Sequence, residues 1–313
     1  MIIDCHCHIV VAEMTTAAVP ERWRLPVPGS VVAEFTDVDL MLAQAARQGV
    51  DHLLLSPWIR LVPAATRGAD LGEALQLCAI QNDALSAHAA ARPGRISGLG
   101  AVPIGNTEAA ADELVKLMKL PGMRGAEIPA SVGGRYLGDD EFEPFWAAAA
   151  DAGALIFVHP TTTGFGRDWP HYLWNSVGNP LETAITAAHL AVAGVLERHA
   201  DLKVLLAHGG GGLHAVRGRL RRAFDVRPEA RERSADGPDA ALRAFYYDSL
   251  THDAGLLADL IGFVGADHVL LGSDRPFDMG TDRPVDQVHE LGQAQADEEL
   301  VLGGNASRLL ELA

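Results

Sequence analysis

The chain is poor in cysteine, in aromatic residues and in positive charge, and it lacks a long apolar run. Its only cysteines are Cys5, Cys7 and Cys78. An odd number without a regular framework excludes a disulfide scaffold and makes a reducing, cytoplasmic location the expectation. The apolar stretch Trp146–Val158 is too short to cross a bilayer and contains Asp151. Asp4 and His6 interrupt the apolar start, so no signal peptide is expected. Lys and Arg total 25 against 41 Asp and Glu, a formal net charge of −16. That balance argues against nucleic acid and anionic membranes as partners. A small anionic substrate remains open, because a local arginine or a metal overrides the global field. What is present is an ordinary globular composition, 48% hydrophobic and 21% charged over 313 residues. The length suits one α/β barrel spanning residues 1–313.

Short apolar runs alternate with helical patterns. Strands are expected over Ile2–Cys5, Asp51–Ser56, Ile96–Val102, Met123–Ile128, Ala154–His159, Lys203–His208, Phe245–Ser249 and His268–Gly272. Helical recurrence fills the intervals, as in Val38–Gln48, Glu73–Ala91, Leu181–His199 and Gly212–Phe224. This alternation predicts a (β/α)8 barrel of the TIM type. Two long segments follow strands and read as insertions at the face where barrels build their sites: Val10–Val32, with Trp23, Pro26 and Pro28, and Thr161–Pro180, with Trp169 and Trp174. Val226–Pro238 is charged and expected to be an exposed loop.

His6 and His8 are spaced so that, in a strand, both imidazoles project to one side. Cys5 and Cys7 would then face the other way, as small buried residues. His159 ends the fifth expected strand, His208 the sixth, and Asp274 follows the eighth. Strand ends meet at the barrel mouth, so four imidazoles and a carboxylate are expected to converge there. A lone histidine after an apolar run is ordinarily a hydrogen-bonded core residue. The coincidence of four such positions with an aspartate favours a metal, zinc first, with manganese, iron or cobalt also suited. Glu127 ends the fourth strand and His252 follows the seventh, both as weaker candidates. No lysine stands at the mouth to be carbamylated as a bridge, so one divalent ion is expected. Trp23, Trp58, Trp169, Trp174 and Phe165 are candidates to line an apolar pocket, Trp174 foremost.

At these residues the chain resembles the amidohydrolase superfamily and, within it, the amidohydrolase-2 family of aminocarboxymuconate-semialdehyde decarboxylase. The resemblance is carried by Asp4-Cys5-His6-Cys7-His8, Phe157-Val158-His159-Pro160, Asn179-Pro180-Leu181-Glu182-Thr183, Ala207-His208-Gly209-Gly210-Gly211 and Gly272-Ser273-Asp274-Arg275-Pro276-Phe277. It implies that His6, His8, His159 and Asp274 hold one zinc and that His208 is the acid–base residue beside an activated water. It further implies that Arg227 reaches a substrate carboxylate in a neighbouring subunit, hence a homodimer. Departures are visible. Glu34–Asp39, matching a segment that carries a second substrate arginine in the decarboxylase, has none, and Arg60 is the candidate replacement. Arg275 stands where the family often has tyrosine. The opening histidine pair also separates the chain from resorcylate-type relatives, which usually begin with glutamate.

Two enzymatic readings follow. The first is a non-oxidative decarboxylase of a small unsaturated or aromatic carboxylate, using metal-activated water, His208 and Asp274. The second is a hydrolase or hydratase of a lactone, amide or enol acid on the same residues. A non-catalytic metal-binding protein would not need the acid–base set.

Overall fold

The computed structural model describes residues 1–16, 19–24, 29–63, 70–161 and 166–312, without the side chains of 29–32. Pro26, Pro28 and Phe165 therefore lie outside the described residues. Eight parallel strands form the sheet expected from the alternation. They are β1 (Ile3–Ile9), β2 (His52–Pro57), β3 (Ile96–Ala101), β4 (Met123–Pro129), β5 (Leu155–His159), β6 (Lys203–Leu206), β7 (Tyr246–Asp248) and β8 (Val269–Leu270). Successive strands are neighbours from β1 to β8. The sheet is drawn shut by the chain after β8: Cys5 N–H donates to Leu271 O at 2.8 Å, Asp274 N–H to His6 O at 2.7 Å and His8 N–H to Arg275 O at 2.7 Å. The first expected strand is thus too short. His6 and His8 lie within β1 because the segment after β8 keeps pairing with it.

The strands are apolar on both faces because both faces are covered. On β5, Ile156 and Val158 pack outward with the helices, while Leu155 and Phe157 point into the barrel. Period two then places His159 on the inner column, one layer above Phe157. β1 departs from strict alternation. Its register shifts between Asp4 and Cys7, and Cys5 joins the inner cluster with Phe157 and Leu205 while Cys7 joins the outer one. The expectation that both cysteines face away from the histidines therefore holds for Cys7 only. All three cysteines are buried and unpaired.

The helices used below are α1 (Val38–Arg47), α2 (Leu71–Ala91), α3 (Thr107–Leu117), α4 (Glu143–Asp151), α5 (Asn179–Val192), α6 (Leu213–Val226), α7 (Ala254–Val264) and α8 (Asn305–Leu309). Asp37, Asp70, Asn106 and Asp253 accept N–H bonds at the starts of α1, α2, α3 and α7, so polar side chains meet the orphan donors there. α6 starts at Gly212 with no side-chain cap. The expected helix Leu181–His199 is broken at Gly194, whose φ is +67° and where a Cβ would lie 2.1 Å from Arg233 O. Ala306, Leu309 and Leu310 pack beneath Ile3, Leu54 and Leu205, so the bottom is plugged and the chemistry-bearing side chains are left to the top.

Candidate active site

The top layer gathers what the sequence dispersed. His6 and His8 come from β1, Glu127 from β4, His159 from β5, His208 from the turn after β6, Asp248 from β7 and Asp274 from the turn after β8. The imidazole centroids of His6 lie 5.1, 5.2 and 5.2 Å from those of His8, His159 and His208. Asp274 Oδ1 is 3.3 Å from His6 Nε2 and 3.1 Å from His8 Nε2, and Asp274 Oδ2 is 3.5 Å from His208 Nε2.

Hydrogen bonding selects the free nitrogen of three rings. His6 Nδ1 donates to Asp248 Oδ2 at 2.5 Å, His8 Nδ1 meets Ser56 Oγ at 3.2 Å, and His159 Nδ1 donates to Pro160 O at 2.8 Å. In each the buried Nε2 is left without a hydrogen-bond partner among the described residues, as is Asp274 Oδ1. A bond at Nδ1 leaves Nε2 as the nitrogen that faces the site. Buried polar atoms are ordinarily paired. A cluster of orphaned imidazole and carboxylate donors is what a divalent cation would satisfy, so these residues fit a metal. Donor atoms of His6, His159, His208 and Asp274 lie within 4.8 Å of one another, and so do those of His8, Glu127 and His159.

Electrostatics separates the rings. Burial keeps His159 well below and His8 below the usual histidine range. Burial also works against charge on His6, but Asp274 and Asp248 outweigh it and push its pKa up to about 10. Burial opposes the Asp274 carboxylate too, yet His6, His208 and His8 hold it well below its usual range. Glu127 is fully enclosed, and burial raises its carboxyl well above the usual range. It faces His8 and His159 at 3.8 and 3.9 Å.

His208 and Asp274 have φ of +57° and +55°, a region non-glycine residues rarely occupy and one that gathers at functional sites. The turn that holds His208 is glycine-rich because it is crowded: a Cβ on Gly211 would lie 1.9 Å from Pro180 O.

A cavity of about 490 Å³ opens above this layer, with His159, His208 and Asp274 in its wall. Trp58, Phe277, Tyr172 and Trp174 supply aromatic surface, and Arg60 lies 5.9 Å from the Trp58 ring. Arg60 and Trp174 thus both line the cavity. Among the other expected aromatics, Trp23 is buried in the core instead and Trp169 is exposed. His252 lines the cavity with φ +56°. Arg227 does not line it; it sits past the end of α6, its side chain 64% exposed and paired with Glu229.

Sequence reasoning missed Asp248, Phe277, Tyr172 and His214. Asp248 left one signal, a carboxylate closing an apolar strand. The cavity role of the others depends on loop paths that no local pattern reveals.

Similarity to known proteins agrees with this geometry. The family model described as Amidohydrolase (Amidohydro_2) matches residues 3–312. A 2-amino-3-carboxymuconate-6-semialdehyde decarboxylase of Dictyostelium discoideum is 31% identical over 280 residues, covering 88% of this chain and 77% of that protein. A gamma-resorcylate decarboxylase of Rhodococcus jostii is 26% identical over 313 residues, covering 91% of this chain and 92% of that protein. The crystal structure of a dihydroxybenzoic acid decarboxylase from Polaromonas sp. JS666, with bound manganese and the inhibitor 2-nitroresorcinol, superposes with a TM-score of 0.84 at 24% identity, covering 99% of this chain and 97% of that one. With a match that runs nearly end to end and a relative above 30% identity, this chain belongs to the amidohydrolase family.

Proposed function

We propose that this protein is a metal-dependent non-oxidative decarboxylase of a small unsaturated or aromatic carboxylate. The carrying observation is the convergence of three imidazoles with free Nε2 atoms on Asp274, beside His208, in the wall of an aromatic-lined cavity. The decarboxylase relatives support the reaction class.

His6, His8, His159 and Asp274 would hold one divalent ion. The donor set suits zinc, and the manganese in the Polaromonas protein makes that ion the second to test. Such an ion acts as a Lewis acid that polarises substrate oxygens and lowers the pKa of water. The rest falls to the chain. Trp58, Trp174 and Phe277 flank a ring and keep bulk water from it. Arg60 faces the same space and pairs with a substrate carboxylate. Decarboxylation replaces a carboxylate by hydrogen: the C–C bonding pair stays on carbon, CO₂ leaves, and a proton takes its place. His208 Nε2 delivers that proton, and Asp274 Oδ2, 3.5 Å away, orients the ring. Residues 1–313 act as one catalytic unit in this reading, in the cytoplasm, as a homodimer in which Arg227 completes the neighbouring site.

The test is CO₂ release from a panel of aromatic and unsaturated carboxylates by zinc- or manganese-loaded protein. We predict release that falls about 10²–10⁴-fold in His208→Ala while the ion stays bound. Acid release from lactones or amides without CO₂ would overturn the lyase assignment in favour of a hydrolase.

A further inference from the structure

Two buried residues beside the candidate metal centre take no part in the chemistry above. Asp4 and Ser273 are 2% and 0% exposed, and neither lines the cavity. They meet across the seam where β1 pairs with the chain that follows β8. Ser273 Oγ donates to Asp4 Oδ2, and Ser273 N–H donates to Asp4 Oδ1 at 3.1 Å. Asp4 Oδ1 also accepts the N–H of His6 at 3.1 Å. A buried carboxylate is costly unless donors meet its oxygens. All three donors come from the two segments that carry His6 and Asp274.

Each bond lies where the backbone departs from a regular ladder. The register of β1 on β2 breaks between Asp4 and Cys7, and this irregularity turns His6 toward the centre. A bulged residue loses its partner in the ladder. Asp4 supplies one to His6, two residues on, in the manner of an Asx turn. On the other side of the seam, Ser273 Oγ accepts the N–H of Arg275 at 3.2 Å. Asp274 lies between these two residues in the left-handed region, with φ +55°, and its N–H donates to His6 O at 2.7 Å. A non-glycine residue keeps that conformation where its surroundings over-determine it. The Ser273 hydroxyl is part of that constraint, because it ties the far side of the turn to the carboxylate of Asp4. Asp274 Oδ1 is thereby held 3.3 Å from His6 Nε2 and 3.1 Å from His8 Nε2.

We propose that Asp4 and Ser273 are positioning residues: the pair fixes the reach between His6 and Asp274, and so sets how tightly, and with which ion, the centre is filled. A hydrogen-bonded frame of this kind acts on the geometry of the ligands rather than on their identity. Loss of the Ser273 hydroxyl loosens the Asp274 turn and leaves the imidazoles in place. Carboxylate oxygen suits manganese, whereas imidazole suits zinc, so manganese binding should suffer more. This role rests on the reading of His6, His8, His159 and Asp274 as ligands of one ion. Its test reads ion binding rather than turnover, so the role and the functional reading can fail separately.

Manganese and zinc affinities are measured by competition with a chelator, and cobalt-loaded protein is followed by its visible absorption, which reports coordination geometry. Ser273→Ala should weaken manganese binding about 10- to 100-fold, weaken zinc binding by a smaller factor and alter the cobalt spectrum. Asp4→Asn, which keeps an acceptor for the two N–H groups, should give a loss of the same kind. The double variant should fall within about twofold of the weaker single variant, because both changes break one contact. Ser97→Ala serves for comparison. It removes a buried hydroxyl that lies 3.0 Å from His52 Nε2 near the start of β3, and it should lower the Tm with affinities and spectrum unchanged. Wild-type manganese affinity and an unchanged cobalt spectrum in Ser273→Ala would overturn the positioning role. Losses that simply add in the double variant would do the same, as would an equal loss in Ser97→Ala. A wild-type protein that takes up no ion would overturn the ligand assignment and the role with it. Coupled losses in a protein that releases no CO₂ support the pair and overturn only the decarboxylase reading.

Discussion

Asp248 accepts four hydrogen bonds: from His6 Nδ1, from the backbone N–H groups of His208 and Gly209, and from that of Leu250. One buried carboxylate therefore orients an expected metal ligand and the turn carrying the expected acid–base residue. Asp248→Asn keeps the shape but weakens the bond to His6 Nδ1. We predict a 10- to 100-fold loss of metal affinity with little change in fold, read by competition with a chromophoric chelator. The charge on His6 gives a pH dependence whose sign is fixed. In the metal-free protein its pKa is raised from an ordinary 6.5 to about 10. The stability contributed by its protonated ring is therefore fully present below 6.5 and lost as pH rises through about 10. Metal-free protein should show a falling Tm across that window. Metal uptake at pH 7–9 should release a proton, detectable as a dependence of calorimetric heat on the buffer's ionisation enthalpy. His6→Asn should flatten the Tm profile, and an unchanged slope would assign the dependence to another group.

At the scale of elements, the strands were legible and the turns between them were not. Eight apolar runs could be read because a strand buried on both faces is apolar throughout. Their ends were harder. β1 runs to Ile9, and β8 is only Val269–Leu270, because pairing near the mouth is decided by the chain after β8 and by no local preference. The bulge that turns both Cys5 and His6 inward leaves no mark in an alternating pattern. The turn after β6 is the opposite case: Gly209, Gly210 and Gly211 announce unusual backbone, and all three have positive φ. Gly211→Ala should cost about 1–3 kcal/mol from strain, with the collision at Pro180 O displacing His208. The expected outcome is a lowered Tm together with lost turnover. A variant that is fully active and as stable as wild type would show that the turn can shift without consequence.

For the whole molecule, the decisive fact is that parallel strands bring all their C-terminal ends to one mouth. His6 and Asp274 are far apart in sequence, yet their side chains approach to 3.3 Å. The same scale decides Arg227. Arg227 is exposed and paired with Glu229, and in the homodimer proposed above it serves the site of a neighbouring subunit. Mixing Arg227→Ala with His208→Ala protein should therefore regain activity in hybrid dimers, since one site of each hybrid carries both intact residues. An absence of regain when the mixed variants are shown to exchange subunits would return Arg227 to the surface.

The sequence by itself determined the barrel and nominated the residues of the candidate metal centre. Burial periodicity and donor chemistry are both local properties of a chain, and His6, His8, His159, His208 and Asp274 could be named from them. The tertiary structure alone decided which nitrogen of each ring is left to face the site, that Asp248 braces His6, that Trp23 belongs to the core while Trp58 faces the cavity, and that His214 is buried beside the cavity at the start of α6. Those properties arise from contacts between segments distant in the chain, and such contacts exist only once the strands have closed around a common axis.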